Sequence, residues 1–205
     1  MSIAKFFSNQ TALLWKFMSY FQPPVVRILH IVITLLIVIN LILGYGFLCS
    51  TKNPDTYIIC SSLLWVHISI GILLTLLTLL FIPACLFHRG IRHFYPYLWG
   101  DTKQLIKDLK VSLSFKLIPP TSGGLAAVVQ GLGLGALLLT ELAGIIWFIG
   151  WQTDGLYAHF FKEVHKVSAT LLALYLLGHG TMATIHFIVW QRRVARKKMR
   201  QKKSD

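Results

Sequence analysis

The chain has 205 residues, of which 55% are hydrophobic and only 13% charged, and its mean hydropathy is +0.65. Soluble domains carry about 25% charged residues, so an ordinary soluble globular fold is excluded and a polytopic membrane protein is expected. The net charge of +13 would suit a nucleic-acid partner, but its distribution along the chain argues against one.

Residues 1–22 place Phe6, Leu13, Phe17 and Phe21 at helical spacing, with Lys5 and Lys16 among them. This predicts an amphipathic helix lying on the membrane surface. Pro23-Pro24 then redirects the chain into the first of four segments long enough to cross a bilayer, which takes about 20 residues. These segments are Val25–Phe47, Tyr57–Ile82, Gly124–Ile149 and Ala158–Trp190. With no short apolar stretch and small-residue cleavage site ahead of the first, no cleavable signal peptide is expected. Cys49 and Cys60 flank the loop between the first two segments. A disulfide there and two unpaired thiols are both open readings, and Cys85 is expected to be a free thiol. Between the second and third segments, GDTKQLIKDLKVSLSF predicts a helix capped by Asp101 with Leu105, Leu109 and Leu113 on one face. Residues 191–205 read as a basic, mobile tail.

Seventeen of the 20 Lys and Arg lie before or at the start of the first segment, between the second and third, or in the tail. By the positive-inside rule this puts both termini and the middle loop in the cytoplasm. The predicted architecture is thus all-α: an integral membrane four-helix bundle over 23–190, preceded by the interfacial helix 1–22 and followed by the tail 191–205.

Ionisable residues are rare within membrane segments and mark functional sites by default. Of eight histidines, His30, His67, His165 and His179 stand at suitable depths, and His186 is a rival for the inner position on the last helix. His165 and His179 are fourteen residues apart. That is roughly 21 Å along a helix and close to four full turns, so both face the same way at two depths. They are too distant to share one metal ion. With the helices alternating in direction, the depth-consistent pairs are His67 with His165 and His30 with His179, which fits two haems stacked across the membrane. Bis-imidazole ligation leaves no open position for oxygen. Four residues after these histidines come Thr34, Gly71, Ala169 and Ala183, all small, as a flat macrocycle beside a helix requires. The other four are followed by Arg92, Tyr97, Glu163 and Trp190, and Trp190 would block the side of His186. His88 and His93 are expected at the interface and His159 at a loop end.

These residues resemble the bacterial cytochrome b561 and nickel–iron hydrogenase cytochrome b family. The resemblance is carried by RILH in the first segment, His67 early in the second, HFYPYLWGDTKQLIKDL in the middle loop, GGLAAVVQGLG opening the third, and His165-x13-His179. It covers roughly Pro24 to Trp190, and it departs at Ile31, where a tryptophan is expected after the first ligand. The resemblance implies a four-helix bundle in the bacterial inner membrane, two b-type haems, and electron exchange with quinone.

GLGLG at Gly131–Gly135 lies inside an apolar segment and reads as close helix or haem packing, not as a nucleotide fingerprint. Gly178 and Gly180, beside His179, are given a similar packing role. Glu141 is the one acid deep within a segment, Glu163 lying near the start of the fourth: either a proton relay for quinone chemistry or a neutral, hydrogen-bonded carboxyl. Arg27, Lys162 and Lys166 stand near the ends of the ligand helices, positioned for haem propionates or for lipid contact. The expected function is transmembrane electron transfer, as a free-standing carrier or as the membrane subunit of a redox complex with a partner subunit. A superoxide:quinone oxidoreductase is the first alternative, disfavoured because Lys52, Lys162 and Lys166 are offset by Asp55, Asp154 and Glu163. The second is a haem-free transporter or scaffold whose histidines bridge helices.

Overall fold

The computed structural model describes residues 3–46, 54–114, 117–118 and 120–204, with side chains left aside at 3–7, 46, 54–60, 197–200 and 202–204. The possible Cys49–Cys60 disulfide, and the contributions of Phe6, Lys52 and Asp55, therefore lie outside the described residues. Among the described residues every regular element is helical: α1 (Ile3–Met18), α2 (Pro24–Gly46), α3 (Pro54–Arg89), α4 (Ile91–Phe94), a 3-10 turn (Pro96–Trp99), α5 (Lys103–Ser112), α6 (Leu125–Gln152) and α7 (Ala158–Ser204). Four of these helices are long and apolar enough to span a bilayer: Pro24–Tyr45, Ser61–Arg89, Leu125–Gln152 and Ala158–Arg196. They match the four predicted segments. Residues 191–204, expected as a mobile tail, instead continue α7. No glycine or proline interrupts the chain after Gly180, and Arg, Lys and Gln are good helix formers.

The chain divides into two compact units, residues 29–175 and residues 1–28 with 176–205. In the first, parts of α2, α3, α6 and α7 pack around a core of Ile33, Ile37, Leu74, Phe81, Leu137, Ala143 and Leu172. Polar groups are buried beside them: Thr78, Thr140, Glu141 and Ser168. Large apolar side chains such as Leu35, Ile42, Leu76, Leu80, Leu139 and Leu174 face outward. An apolar exterior around a partly polar interior suits a bundle whose solvent is lipid. Gly131 and Gly133 serve the expected close packing. A Cβ at Gly131 would press on the Phe94 carbonyl, and one at Gly133 would strike the Tyr175 ring. Gly135, Gly178 and Gly180 have open space around them.

The middle segment is organised by one carboxylate. Asp108 on α5 is 4% exposed. It accepts hydrogen bonds from Gln104 Nε2 (2.6 Å), Thr121 Oγ1 (3.3 Å) and the Leu125 amide (3.0 Å). The Leu125 amide is the first of α6, so Asp108 caps that helix from across the loop and complements its dipole. Asp101, expected to cap α5, does not. Thr102 holds that position without a side-chain cap, and the Asp101 carboxylate meets Arg92 at 3.4 Å. The leucine face of α5 is also not its buried face, since Leu109 and Leu113 are exposed. Covering Asp108 leaves those leucines on the opposite side.

In the second unit, Phe17 of α1 packs against Phe187 (5.5 Å) and Trp190 (5.6 Å) of α7, and Tyr20 lies 6.0 Å from Trp190. The amphipathic stripe of α1 is thus spent partly on α7. Trp15 and Tyr20 stay exposed. Arg27, 6% exposed, donates to the Trp15 carbonyl at 2.9 Å and lies 4.2 Å over the Trp15 ring.

Replacing Asp108 with alanine strands three donors at a helix start. A loss of about 1–3 kcal/mol is expected, read as a lower thermal unfolding midpoint in detergent. Gly124→Ala, whose Cβ would collide with the Asp108 carboxylate and the Thr121 hydroxyl, is expected to cost at least as much. An unchanged midpoint in both variants would show that this loop does not hold the bundle.

Candidate functional site

A cavity of about 140 Å³ lies between α2, α3, α6 and α7 within the 29–175 unit. Its wall is mainly apolar and aromatic, including Leu137, Trp147, Phe148 and Trp151. The polar groups reaching it are Asn40, His67, Thr75, Thr140, Glu141 and His165.

His67 and His165 face each other with ring centres 6.1 Å apart and planes at 85°. The Nδ1 atom of His67 is 3.2 Å from the Asn40 carbonyl, and that of His165 is 2.8 Å from the Thr140 carbonyl. A carbonyl can only accept, so each Nδ1 carries the proton and each Nε2 keeps its lone pair. This is the arrangement that orients histidines around a metal. Metal–imidazole bonds are about 2.0 Å long and the ring centre sits about 1.1 Å behind the nitrogen, so two rings ligating one metal in trans stand about 6.2 Å apart. The observed separation fits that distance.

Two glycines make the carbonyls reachable. In an α-helix the carbonyl of residue i points toward residue i+4, and the residues four along from Asn40 and Thr140 are Gly44 and Gly144. A Cβ at Gly44 would lie 3.3 Å from His67 Cε1. One at Gly144 would lie 2.9 Å from His165 Nδ1 and 3.0 Å from its Cε1. Each ring thus occupies the space of a missing side chain and uses the second lone pair of a helical carbonyl. The same device appears twice, between α2 and α3 and between α6 and α7.

Gly71 and Ala169, the small residues four along from His67 and His165, line the cavity. Trp147 lies 6.0 Å from the His165 ring, and the Lys162 ammonium is 5.7 Å from the Trp147 ring. Trp65, Phe148 and Trp151 pack together beside it. Glu141 Oε1 accepts from Thr78 Oγ1 at 2.7 Å.

His30 lies in the 29–175 unit, its ring 6.2 Å from Phe81, with Thr34 Oγ1 donating to its carbonyl at 2.6 Å. His179 belongs to the other unit, half-buried on α7. His186 is half-buried too. The position four along from it is taken up by Trp190, stacked with Phe187 at 6.1 Å. His93, expected at the interface, accepts from Arg89 Nη1 at 3.1 Å through Nε2 and donates from Nδ1 to Ser122 at 2.9 Å. Burial and the nearby guanidinium hold it below the ordinary histidine range. The sequence reading found the two opposed histidines and the small residues beside them but missed Asn40, Gly44, Thr78 and Gly144. Their roles depend on which helices pair, and the one signal within a helix is a glycine four residues beyond the accepting carbonyl.

The family model for prokaryotic cytochrome b561 matches residues 22–199. No curated protein and no solved structure gives a significant match. The chain belongs to the prokaryotic cytochrome b561 family, and so is a membrane electron-transfer cytochrome of b type.

Gly144→Ala should displace the His165 ring and lower the haem content of the purified protein. Gly44→Ala, with more clearance, should do so less. Haem per chain from a reduced-minus-oxidised visible spectrum measures both, and full haem content in Gly144→Ala would show that the clearance is not needed.

Proposed function

We propose that this cytochrome b561 family member carries electrons across the bacterial inner membrane through two bis-histidine b-type haems and exchanges them with quinone. The neighbouring His67 and His165 rings, both lining the cavity, with Nδ1 engaged and Nε2 keeping its lone pair, carry the reading. His67 and His165 would hold a b-type haem there, which would supply one-electron chemistry. The chain orients the two rings through the Asn40 and Thr140 carbonyls, excludes water with an aromatic and aliphatic wall, and fixes the depth of the site by helix register. Lys162, beside Trp147, is placed to meet an anionic substituent at the cavity mouth.

The second haem is assigned to His30 and His179. Trp190, engaged with the aromatic residues of α1 and α7, favours His179 over His186. The proposed organisation keeps an interfacial segment at 1–22, the di-haem bundle at 23–190 and a basic extension at 191–205. Both termini are cytoplasmic by the distribution of Lys and Arg. The partners are the lipid bilayer, quinone and a redox subunit or soluble donor. The superoxide:quinone alternative is less favoured. Of the cations near the opposite end of the bundle, Lys166 is paired with Glu163 at 2.9 Å, which weakens the positive field that superoxide capture needs.

Purified in mild detergent, the protein should hold about two haems per chain. His67→Ala and His165→Ala should each remove the same one, and His30→Ala and His179→Ala the other. A folded, haem-supplied, colourless preparation would favour the haem-free reading. Full haem content in His179→Ala with loss in His186→Ala would move the inner ligand.

A further inference from the structure

Glu141 is a carboxyl in the middle of an apolar helix, 8% exposed, with only one oxygen engaged. Thr78, fully buried on α3, donates to Oε1. Oε2 is buried without a hydrogen-bond partner, as is Oδ1 of Asn40 on α2. Both residues line the His67–His165 cavity. An unpaired carboxyl oxygen in such a place is costly in either protonation state, and membrane segments keep such groups for proton or ion chemistry.

The other titratable groups facing the cavity are His67 on α3 and His165 on α7; α2 contributes only the neutral Asn40, and α6 no further acid or base. The two imidazoles each commit Nδ1–H to a carbonyl, and as metal ligands their Nε2 atoms take no proton. Tyr175, against Gly133, is two turns along α6, and Cys85 is two turns beyond Thr78 on α3. Glu141 is therefore the group at this cavity able to exchange a proton.

We propose that Glu141 is a redox-linked proton site: reduction at the His67–His165 centre draws one proton onto its carboxylate. The inference rests on the haem reading above. Adding one electron removes one positive charge from the cavity, and in a low-dielectric interior that change is felt strongly by a neighbouring carboxylate. The balance is one electron from the reductant, a quinol in the membrane or dithionite in a cuvette, and one proton from water. Ferric iron becomes ferrous and the Glu141 carboxylate becomes a carboxylic acid; oxidation returns both. The Thr78 hydroxyl, which donates to the carboxylate, sets the pH at which this happens. This makes Glu141 a positioning residue for charge, distinct from a relay that hands protons directly to quinone.

The test is a redox titration of the purified holoprotein at a series of pH values, followed at the haem absorption band. In the wild type the midpoint potential of the His67–His165 haem should fall as pH rises, by up to about 59 mV for each tenfold drop in proton concentration. Glu141→Gln keeps an oxygen to accept from Thr78. It should retain full haem, lose the slope, and stay near the wild-type low-pH potential. Thr78→Val, which withdraws the donor from the carboxylate, should keep a slope but move it to higher pH. A reduced-minus-oxidised infrared spectrum should show a protonated carboxyl band in the wild type and none in Glu141→Gln. An unchanged slope in Glu141→Gln, or a flat wild-type titration, overturns the proposal while leaving the haem assignment standing. A wild-type protein without haem instead overturns the reading beneath it.

Discussion

Two hydrogen bonds, from His67 Nδ1 to the Asn40 carbonyl and from His165 Nδ1 to the Thr140 carbonyl, determine what the rest of the bundle must do. An imidazole in an apolar interior has two nitrogens to satisfy, and no water to do it. Committing Nδ1 to a main-chain carbonyl of the neighbouring helix fixes the tautomer, restricts the ring and leaves Nε2 as the one basic nitrogen. Helical carbonyls are already engaged with the amide four residues on, so the ring must approach over that later residue. Only a glycine leaves room. Gly44 and Gly144 are consequences of the two hydrogen bonds, and helix spacing in each hairpin follows from how close the glycines let the rings come.

The same requirement explains the distribution of polarity. The outward faces of α2, α3, α6 and α7 carry Leu, Ile and Val, which cost nothing against lipid. Inside, Thr78, Thr140 and Ser168 each direct a hydroxyl to a nearby acceptor: the Glu141 carboxylate, the Ala136 carbonyl, and the Val164 and His165 carbonyls. Hydrophobic burial does not drive helix association in a membrane, so close packing at glycines and satisfied polar contacts take over that role. At the other end of α6, where the chain leaves the apolar layer, Asp108 and Gly124 close the helix start.

Much of this was legible from residue order. Length and hydropathy gave the four spans because a bilayer imposes a minimum run of apolar residues whatever the packing. The fourteen-residue histidine spacing gave two depths because it is close to a whole number of helical turns. The small residues after His67 and His165 were readable because four residues is one turn, and both do line the cavity. What escaped depends on neighbours in another helix. Asn40 and His67 are 27 residues apart and Thr140 and His165 are 25 apart, so no repeat shows in the sequence although the two hairpins use one device. Asp101 was read as a cap by adjacency. The acid that performs a capping role, Asp108, does so for a helix seventeen residues downstream. The leucine stripe of α5 was read as one apolar face; which way it turns was not readable, because it depends on Asp108 taking the covered side.

The recurrence of one device in two hairpins bears on what the protein has to control. An electron carrier gains nothing from an open metal site; it needs ligands that hold still while charge comes and goes. A ring held at Nδ1 against a backbone carbonyl that cannot rotate, with a glycine that leaves little slack, has little freedom to reorganise. The charge change must then be absorbed elsewhere. Within the cavity wall, where the imidazoles are fixed and Asn40 is neutral, the half-satisfied carboxyl of Glu141 is the group proposed to absorb it. Under that proposal the rigidity of the two imidazoles and the incompleteness of Glu141 are complementary, one excluding rearrangement and the other admitting a proton.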